Sequence, residues 1–233
     1  MDGTAAADAY LAWWALAGVD SAVGDSPVSW LRPAPAREAN GAAARPAIDI
    51  KQRPSDLDSF RAWLADSPDQ PESGWNGPRI LPAGPVDAPL MIVTDLPEAA
   101  DMKAGALFSG SIGALLDAIV RAMGIDRASV HTASLALARP PGGVIIDADV
   151  ALLADRMRAY VALARPRRLL VLGDRTARAL LPQESDDDLR RFNHDGGNVP
   201  AIAAFHPRLL LQQPAAKAEC WRSLQILIED MPS

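Results

Sequence analysis

The side chains with the most chemistry to offer sit in or just past short apolar runs. Asp95 follows Leu90-Met91-Ile92-Val93, Ser134 and Arg139 lie within and after Val130–Leu137, and His206 and Arg208 follow Val199–Phe205. A carboxylate at such a place can orient or deprotonate a water. An imidazole can donate to a carbonyl oxygen or to an anion that develops on it. Arginines can hold phosphate, and Phe108 offers a flat apolar face for stacking. Other chemistries find no support in the chain. There is no Walker loop, no dinucleotide fingerprint and no Ser-His-Asp arrangement, and the spacing of Gly105, Gly110 and Gly113 is too loose for a phosphate cradle. His131 and His194 have no motif around them and read as structural or solvent-facing.

Those residues need elements that bring them together. Leu90–Val93, Val130–Leu137, Leu169–Leu172 and Val199–Phe205 read as buried strands. Helical spacing falls between them. Ser109 opens a helix through Ile112, Leu116, Ile119 and Met123 that stops at Gly124; another runs from Val150 to Leu163, closed by Pro166. Asp174 can cap Thr176–Leu181, Ala215–Ile228 is the last helix, and Asp56 or its neighbours can cap one through Phe60 and Leu64. Strands alternating with helices predict an α/β fold: a three-layer α/β/α sandwich on a central four-stranded parallel sheet. Ligands of such sheets sit beyond the carboxyl ends of the strands. Those ends are Thr94–Glu98, Leu137–Gly143, Gly173–Arg175 and His206–Arg208.

The rest of the chain bounds the reading. Its 233 residues, 49% hydrophobic and 22% charged, suffice for a real core. Residues 1–54 read as an N-terminal helix and a Pro/Ala-rich arm, and 55–233 as the main domain. Tyr10–Val19 is apolar, but no Lys or Arg precedes it, so it does not read as a signal peptide. It reads as a helix whose Trp13 and Trp14 pack on the body or dock a protein partner. No apolar run approaches the roughly 18 residues of a membrane helix, so no membrane partner and a cytoplasmic location are expected. Cys220 is the single cysteine, which excludes a disulfide scaffold and a multi-cysteine metal site within this chain. The run Glu184–Asp188 reads as a solvated acidic loop.

The segment Phe205-His206-Pro207-Arg208-Leu209-Leu210-Leu211-Gln212-Gln213-Pro214, with Lys217 and Trp221 after it, resembles the final motif of the uracil-DNA glycosylase superfamily. The nearest version is the iron–sulfur, family 4 type, whose His-Pro-Ser-x-Leu-Leu stretch closes the site. Three other segments resemble that family in the same order: Gly105–Gly110 with Gly113, Leu115, Leu116 and Asp117; Arg139-Pro140-Pro141-Gly142; and Ala164–Pro166 with Leu172-Gly173 and Thr176-Ala177. The resemblance covers roughly residues 88–229. It implies a uracil-DNA glycosylase-like fold and base-excision repair chemistry, hydrolysis of the N-glycosidic bond of a flipped base. It also assigns roles. Asp95 would orient a water toward the sugar C1′, and His206 would donate to the base and stabilise it as a leaving anion. Phe108 would stack on the base, and Ser134 would face its edge. Arg139, Arg208, Leu209 and Leu210, with Leu211, would contact DNA, the leucines as a wedge.

This chain departs from the family pattern at specific residues. The family's Gly-Glu-Ala-Pro-Gly is Thr94-Asp95-Leu96-Pro97-Glu98 here, with a shorter carboxylate and added bulk and charge. Ser134 stands where the family has an amide-bearing Asn, and one hydroxyl cannot supply an amide's simultaneous donor and acceptor. The cluster cysteines are absent, one of them falling at Ala138, so no cofactor is expected and loop packing between residues 67 and 89 must take the cluster's place. Weak or altered glycosylase activity is the expectation. The alternative is an inactive relative that binds DNA or protein. With a net charge of −6, any DNA binding should be weak and salt-sensitive.

Overall fold

A computed structural model describes residues 53–182, 188–194 and 196–229. The expected N-terminal helix and arm, up to Gln52, and most of the acidic run lie outside the described residues. Five strands form one sheet: β1 (Leu90–Thr94), β2 (Val130–Ser134), β3 (Leu169–Leu172), β4 (Arg190–His194) and β5 (Gly197–Ala204). Seven helices surround it among the described residues: α1 (Leu57–Asp66), α2 (Ala99–Ala104), α3 (Gly110–Ala122), α4 (Asp147–Ala164), α5 (Asp174–Leu180), α6 (Pro207–Gln212) and α7 (Lys217–Glu229).

The sheet order is β2-β1-β3-β5-β4. The four expected strands are all present and mutually parallel, with Thr94 beside Ser134 and Leu172 beside Ala204 at their carboxyl ends. A fifth strand extends the expected sheet: β4 lies antiparallel to β5 at the edge, pairing Phe192 with Val199. β4 is half-buried, with only Phe192 fully inward, so it lacks the continuous apolar run that marks the other strands.

Burial on both faces explains the apolar strands. Met91, Val93, Leu169 and Val171 face a core shared with Phe60, Leu64 and Tyr160 of α1 and α4. Leu90, Ile92, Leu170 and Leu172 face the other way, toward Leu116, Val120, Leu224 and Leu227 of α3 and α7. Alternate residues of one strand thus feed two cores, which is the three-layer α/β/α sandwich. Asp56 caps α1, its carboxylate accepting the Ser59 N–H at 2.9 Å.

Two short helices lie outside the sequence expectation. α2 follows β1, and α6 is built from the His206-Pro207 segment itself. The strand expected over Val130–Leu137 leaves the ladder at Ser134, and Leu135–Leu137 continues as buried, bent chain. The aperiodic stretch from Ser67 to Pro89 packs along the outer edge of β2. Ala83 and Thr132 exchange backbone hydrogen bonds of 2.9 and 2.7 Å, and a side chain at Gly84 would collide with the His131 backbone at 2.5 Å.

Candidate active site

The sheet order sets the carboxyl ends of the parallel strands side by side: Ser134, Asp95, Gly173 and His206 follow one another across it. Past the ladder, the Leu135 and Ala136 N–H groups donate to the carbonyls of Thr94 and Asp95, both at 2.9 Å. The chain after β2 therefore holds the Asp95 backbone. An ideal Cβ on Gly173 would lie 3.9 Å from the His206 Cβ, so the end of β3 abuts the histidine.

His206 is the N-cap of α6 and is 8% exposed. Its Nδ1 accepts the Arg208 N–H at 3.1 Å. That bond fixes the neutral tautomer with the proton on Nε2, leaving one ring donor for a ligand. Burial and the nearby Arg208 guanidinium push its pKa down to about 4, against the opposing pull of Asp95 and Asp101. The ring is neutral at physiological pH. A neutral donor suits an acceptor that becomes anionic, because the donated hydrogen bond strengthens as charge develops.

Asp95 is half-buried, and one carboxylate oxygen, Oδ1, accepts from its own turn, the Leu96 N–H at 2.9 Å and the Thr94 hydroxyl at 3.3 Å. Asp101, 2% exposed, is a carboxylate that sequence reasoning missed. One of its oxygens accepts the Glu98 N–H at 2.9 Å, and the other accepts the Ser109 N–H at 2.6 Å. It thereby ties the loop after β1 to the start of α3. The signal was an acidic residue three positions into a short helix, the reciprocal pattern of a capping box.

Phe108 lies in this tied loop, 6% exposed, with a left-handed backbone at φ 57°. Its carbonyl lies against Gly113, where any Cβ would come within 1.8 Å of the oxygen. Only glycine fits there. The ring belongs to the core that contains Leu210 of α6, and α3 packs on α6.

Ser134 is 1% exposed, and its hydroxyl donates to the Ala136 carbonyl at 2.7 Å. What is left to offer is acceptor capacity. Behind it lies a buried ionic cluster that nothing in the local sequence announced. Arg156 of α4 donates to both oxygens of Glu72 at 2.6 and 2.9 Å, to Gln70 at 2.5 Å and to the Leu135 carbonyl at 2.6 Å. Glu72 also accepts the Leu137 N–H at 2.8 Å. Burial opposes ionisation of Glu72, yet Arg156 and the Leu137 N–H hold its carboxyl below the usual range.

Arg139 and Arg208 converge on one carboxylate. Glu98 Oε1 is 3.2 Å from the Arg208 guanidinium, and Oε2 is 3.8 Å from that of Arg139, which also donates to the Pro97 carbonyl at 2.7 Å. The leucine expectation needs correction at one position. Leu210 is 1% exposed and belongs to the core, because α6 turns it inward against the α3 layer. Leu209 is half-buried, and Leu211, 43% exposed, is the apolar side chain that α6 presents outward.

A cleft of 320 Å³ opens at the ends of β3 and β5, lined by Gly173, Asp174, Arg178, Arg190, Phe205 and Cys220 among others, and its lining includes neither Asp95, Phe108, Ser134 nor His206. It meets the His206 site at Gly173. The residues do not fit an iron–sulfur cluster. Ala138 is fully buried and carries no ligand atom, and the lone thiol, Cys220, is buried on α7 with its pKa raised by that burial. Among the described residues, no group of three or more His, Cys, Asp or Glu gathers as a metal site.

The family model of the uracil DNA glycosylase superfamily matches residues 81–225. A type-4 uracil-DNA glycosylase from Pyrobaculum aerophilum is 26% identical to this chain over 145 residues, which cover 58% of this chain and 74% of that protein. The matched region takes in every strand and the site residues from Asp95 to Leu211, and leaves out Gln70 and Glu72 of the ionic cluster.

Proposed function

This chain belongs to the uracil DNA glycosylase superfamily, and we propose that it hydrolyses the N-glycosidic bond of an extruded deoxynucleotide, with weak or altered activity on uracil. The observation that carries the reading is His206, a buried neutral imidazole whose Nδ1 is taken by the Arg208 N–H, at the same end of the sheet as Asp95 and within its electrostatic reach. In this mechanism Asp95 orients a water toward C1′. The bond from C1′ to the base nitrogen breaks and its electron pair leaves with the base. The water oxygen bonds to C1′, and its proton passes to the carboxylate and on to solvent. The Nε2–H of His206 donates to the base carbonyl that takes up the negative charge. Phe108 supplies the stacking face, and Arg139 and Arg208 lie where the strand backbone would run.

Reduced activity on uracil follows from Ser134. Its proton is spent on the Ala136 carbonyl, so it can accept from the base N–H but cannot donate to the neighbouring carbonyl. A site that leaves a polar group of its substrate unpaired loses rate steeply. A second reading, a binding module without turnover, draws support from Glu98, whose carboxylate faces both arginines. Single-turnover assays on uracil-containing single- and double-stranded oligonucleotides separate the two. Slow excision abolished by Asp95→Asn and by His206→Ala supports hydrolysis. Oligonucleotide binding with no base release by any variant supports the binding module, and turnover as fast as that of the type-4 relative overturns the account of Ser134.

A further inference from the structure

We propose that Glu98 occupies, from within the chain, the seat of a nucleic-acid phosphate. The seat is formed by Arg139 and Arg208 at the carboxyl ends of β2 and β5, and this inference rests on the nucleic-acid reading above. Two guanidiniums facing one anion from separate segments make a typical clamp for a phosphate or carboxylate. Here the anion is supplied by the protein. Both arginine side chains keep access to solvent, 46% for Arg208 and 31% for Arg139, whereas that of Glu98 is 16% exposed. The carboxylate is thus the inner partner, and the cations face outward.

Glu98 is also the N-cap of α2, its side chain set against the Asp101 backbone in a reciprocal capping box. Its Oε1 is closed to solvent and accepts no hydrogen bond despite lying 3.2 Å from Arg208. Satisfying that oxygen is not what holds Glu98 in place. The capping box is, since the Glu98 N–H is pinned to buried Asp101 and the Glu98 side chain faces the Asp101 N–H in return. A phosphodiester oxygen carries the same single charge and can take both guanidiniums once the carboxylate swings out. The seat lies beside the candidate chemistry. Arg208 donates its own N–H to His206, and Glu98 is three residues past Asp95. Glu98 therefore competes with the strand that carries the target nucleotide. It would set a threshold on binding without touching the base.

The test uses the full chain, with Glu98→Gln as the conservative variant because it keeps size and removes charge. Asp58→Asn on α1 removes a charge elsewhere. Fluorescence anisotropy with a labelled single-stranded oligonucleotide, over a salt series, reads affinity and salt slope. Glu98→Gln is expected to tighten binding about tenfold and to steepen the slope by about one, the signature of one added phosphate contact. The gain should vanish in Glu98→Gln combined with Arg208→Gln or Arg139→Gln, and Asp58→Asn should show none. A gain that survives loss of both arginines, a gain equal to that of Asp58→Asn, or no detectable binding by any variant overturns the seat. Thermal melting in inorganic phosphate against chloride at matched ionic strength separates a free phosphate from a phosphodiester. Stabilisation of Glu98→Gln by phosphate without any gain for the oligonucleotide overturns the nucleic-acid assignment. Excision, measured on the same proteins, fails independently: tighter binding without base release keeps the seat and ends the hydrolytic reading, while excision by the wild type with Glu98→Gln unchanged in binding does the reverse.

Discussion

The Nδ1 of His206 accepts the backbone N–H of Arg208 at 3.1 Å, so the same residue starts α6 and fixes its own tautomer. Burial and Arg208 press the ring pKa from 6.5 to about 4. The unfolded chain then binds a proton between those values that the folded chain refuses. Stability from this group is complete above pH 6.5 and is lost as pH falls toward 4, a difference of about 3 kcal/mol. His131 is shifted in the same direction by burial and by Arg61, against the opposing pull of the Pro85 carbonyl, so the comparison needs a variant. His206→Asn keeps a capping acceptor and removes the titration. Denaturant unfolding from pH 4 to 7 should show wild type losing stability on acidification faster than His206→Asn. Parallel curves would show that the folded ring titrates normally.

Ser134 makes a second prediction. Its hydroxyl satisfies the Ala136 carbonyl inside the protein, so Ser134→Ala should cost about 1–3 kcal/mol in chemical denaturation. Ser134→Asn supplies an amide in place of the hydroxyl and should raise residual uracil excision. The larger side chain enters a site with 1% exposure, so a loss of about 1–3 kcal/mol is expected with it. Excision by Ser134→Asn at or below the wild-type rate, in a folded protein, would show that the missing amide is not what limits the reaction.

How much of this was legible in the sequence depended on the kind of signal. The parallel strands β1, β2, β3 and β5 announce themselves as apolar runs because both of their faces are buried. β4 does not, since an edge strand needs only Phe192 inward; the Asp195-Gly196-Gly197 turn sequence ahead of β5 was its legible sign. Topology alone brings Asp95, Ser134 and His206 to one end of the sheet, so their placement was legible from the expected strand ends. Leu210 could not be separated from Leu209 and Leu211 without knowing which way α6 turns. Phe108 has a positive φ that no local residue preference would suggest, and it exists because Asp101 and Gly113 hold the turn. Arg156 sits on the buried face of α4, where an apolar residue is the ordinary expectation, and its partner lies 84 positions away.

That distant pair carries the third prediction. Removing one member of a buried, hydrogen-bonded ion pair leaves an uncompensated charge, so Arg156→Met should cost about 3–5 kcal/mol. Combining it with Glu72→Leu should recover a large part of that loss, since neither charge then remains. The carboxyl of Glu72 titrates below its usual range in the folded protein, so its contribution is present above about pH 4.5 and is lost as pH falls through the folded value. Backbone amide exchange at Leu137 should rise in Arg156→Met, because Glu72 is the acceptor for that N–H. A single-variant cost under about 1 kcal/mol would show the cluster to be dispensable.

Asp101 makes the sharpest structural demand. It accepts two backbone N–H groups, one on each oxygen, from Glu98 and Ser109. An amide offers a single acceptor oxygen, so Asp101→Asn must turn an N–H toward one of these donors. Two facing donors inside a site with 2% exposure should cost about 1–3 kcal/mol. The functional consequence runs through position. The freed loop no longer holds Phe108 in its left-handed turn, nor Glu98 in line with Arg208. If the loop acts by positioning, Asp101→Asn should lower single-turnover excision or oligonucleotide affinity, and, because the Asp101 carboxylate pulls the His206 pKa upward, it should deepen rather than remove the acid-side loss of stability that belongs to His206. Asp101→Ala should do the same, with a larger loss of stability, because both donors then lack a partner. Activity and affinity unchanged in a measurably destabilised Asp101→Asn would mean that this carboxylate serves the fold alone.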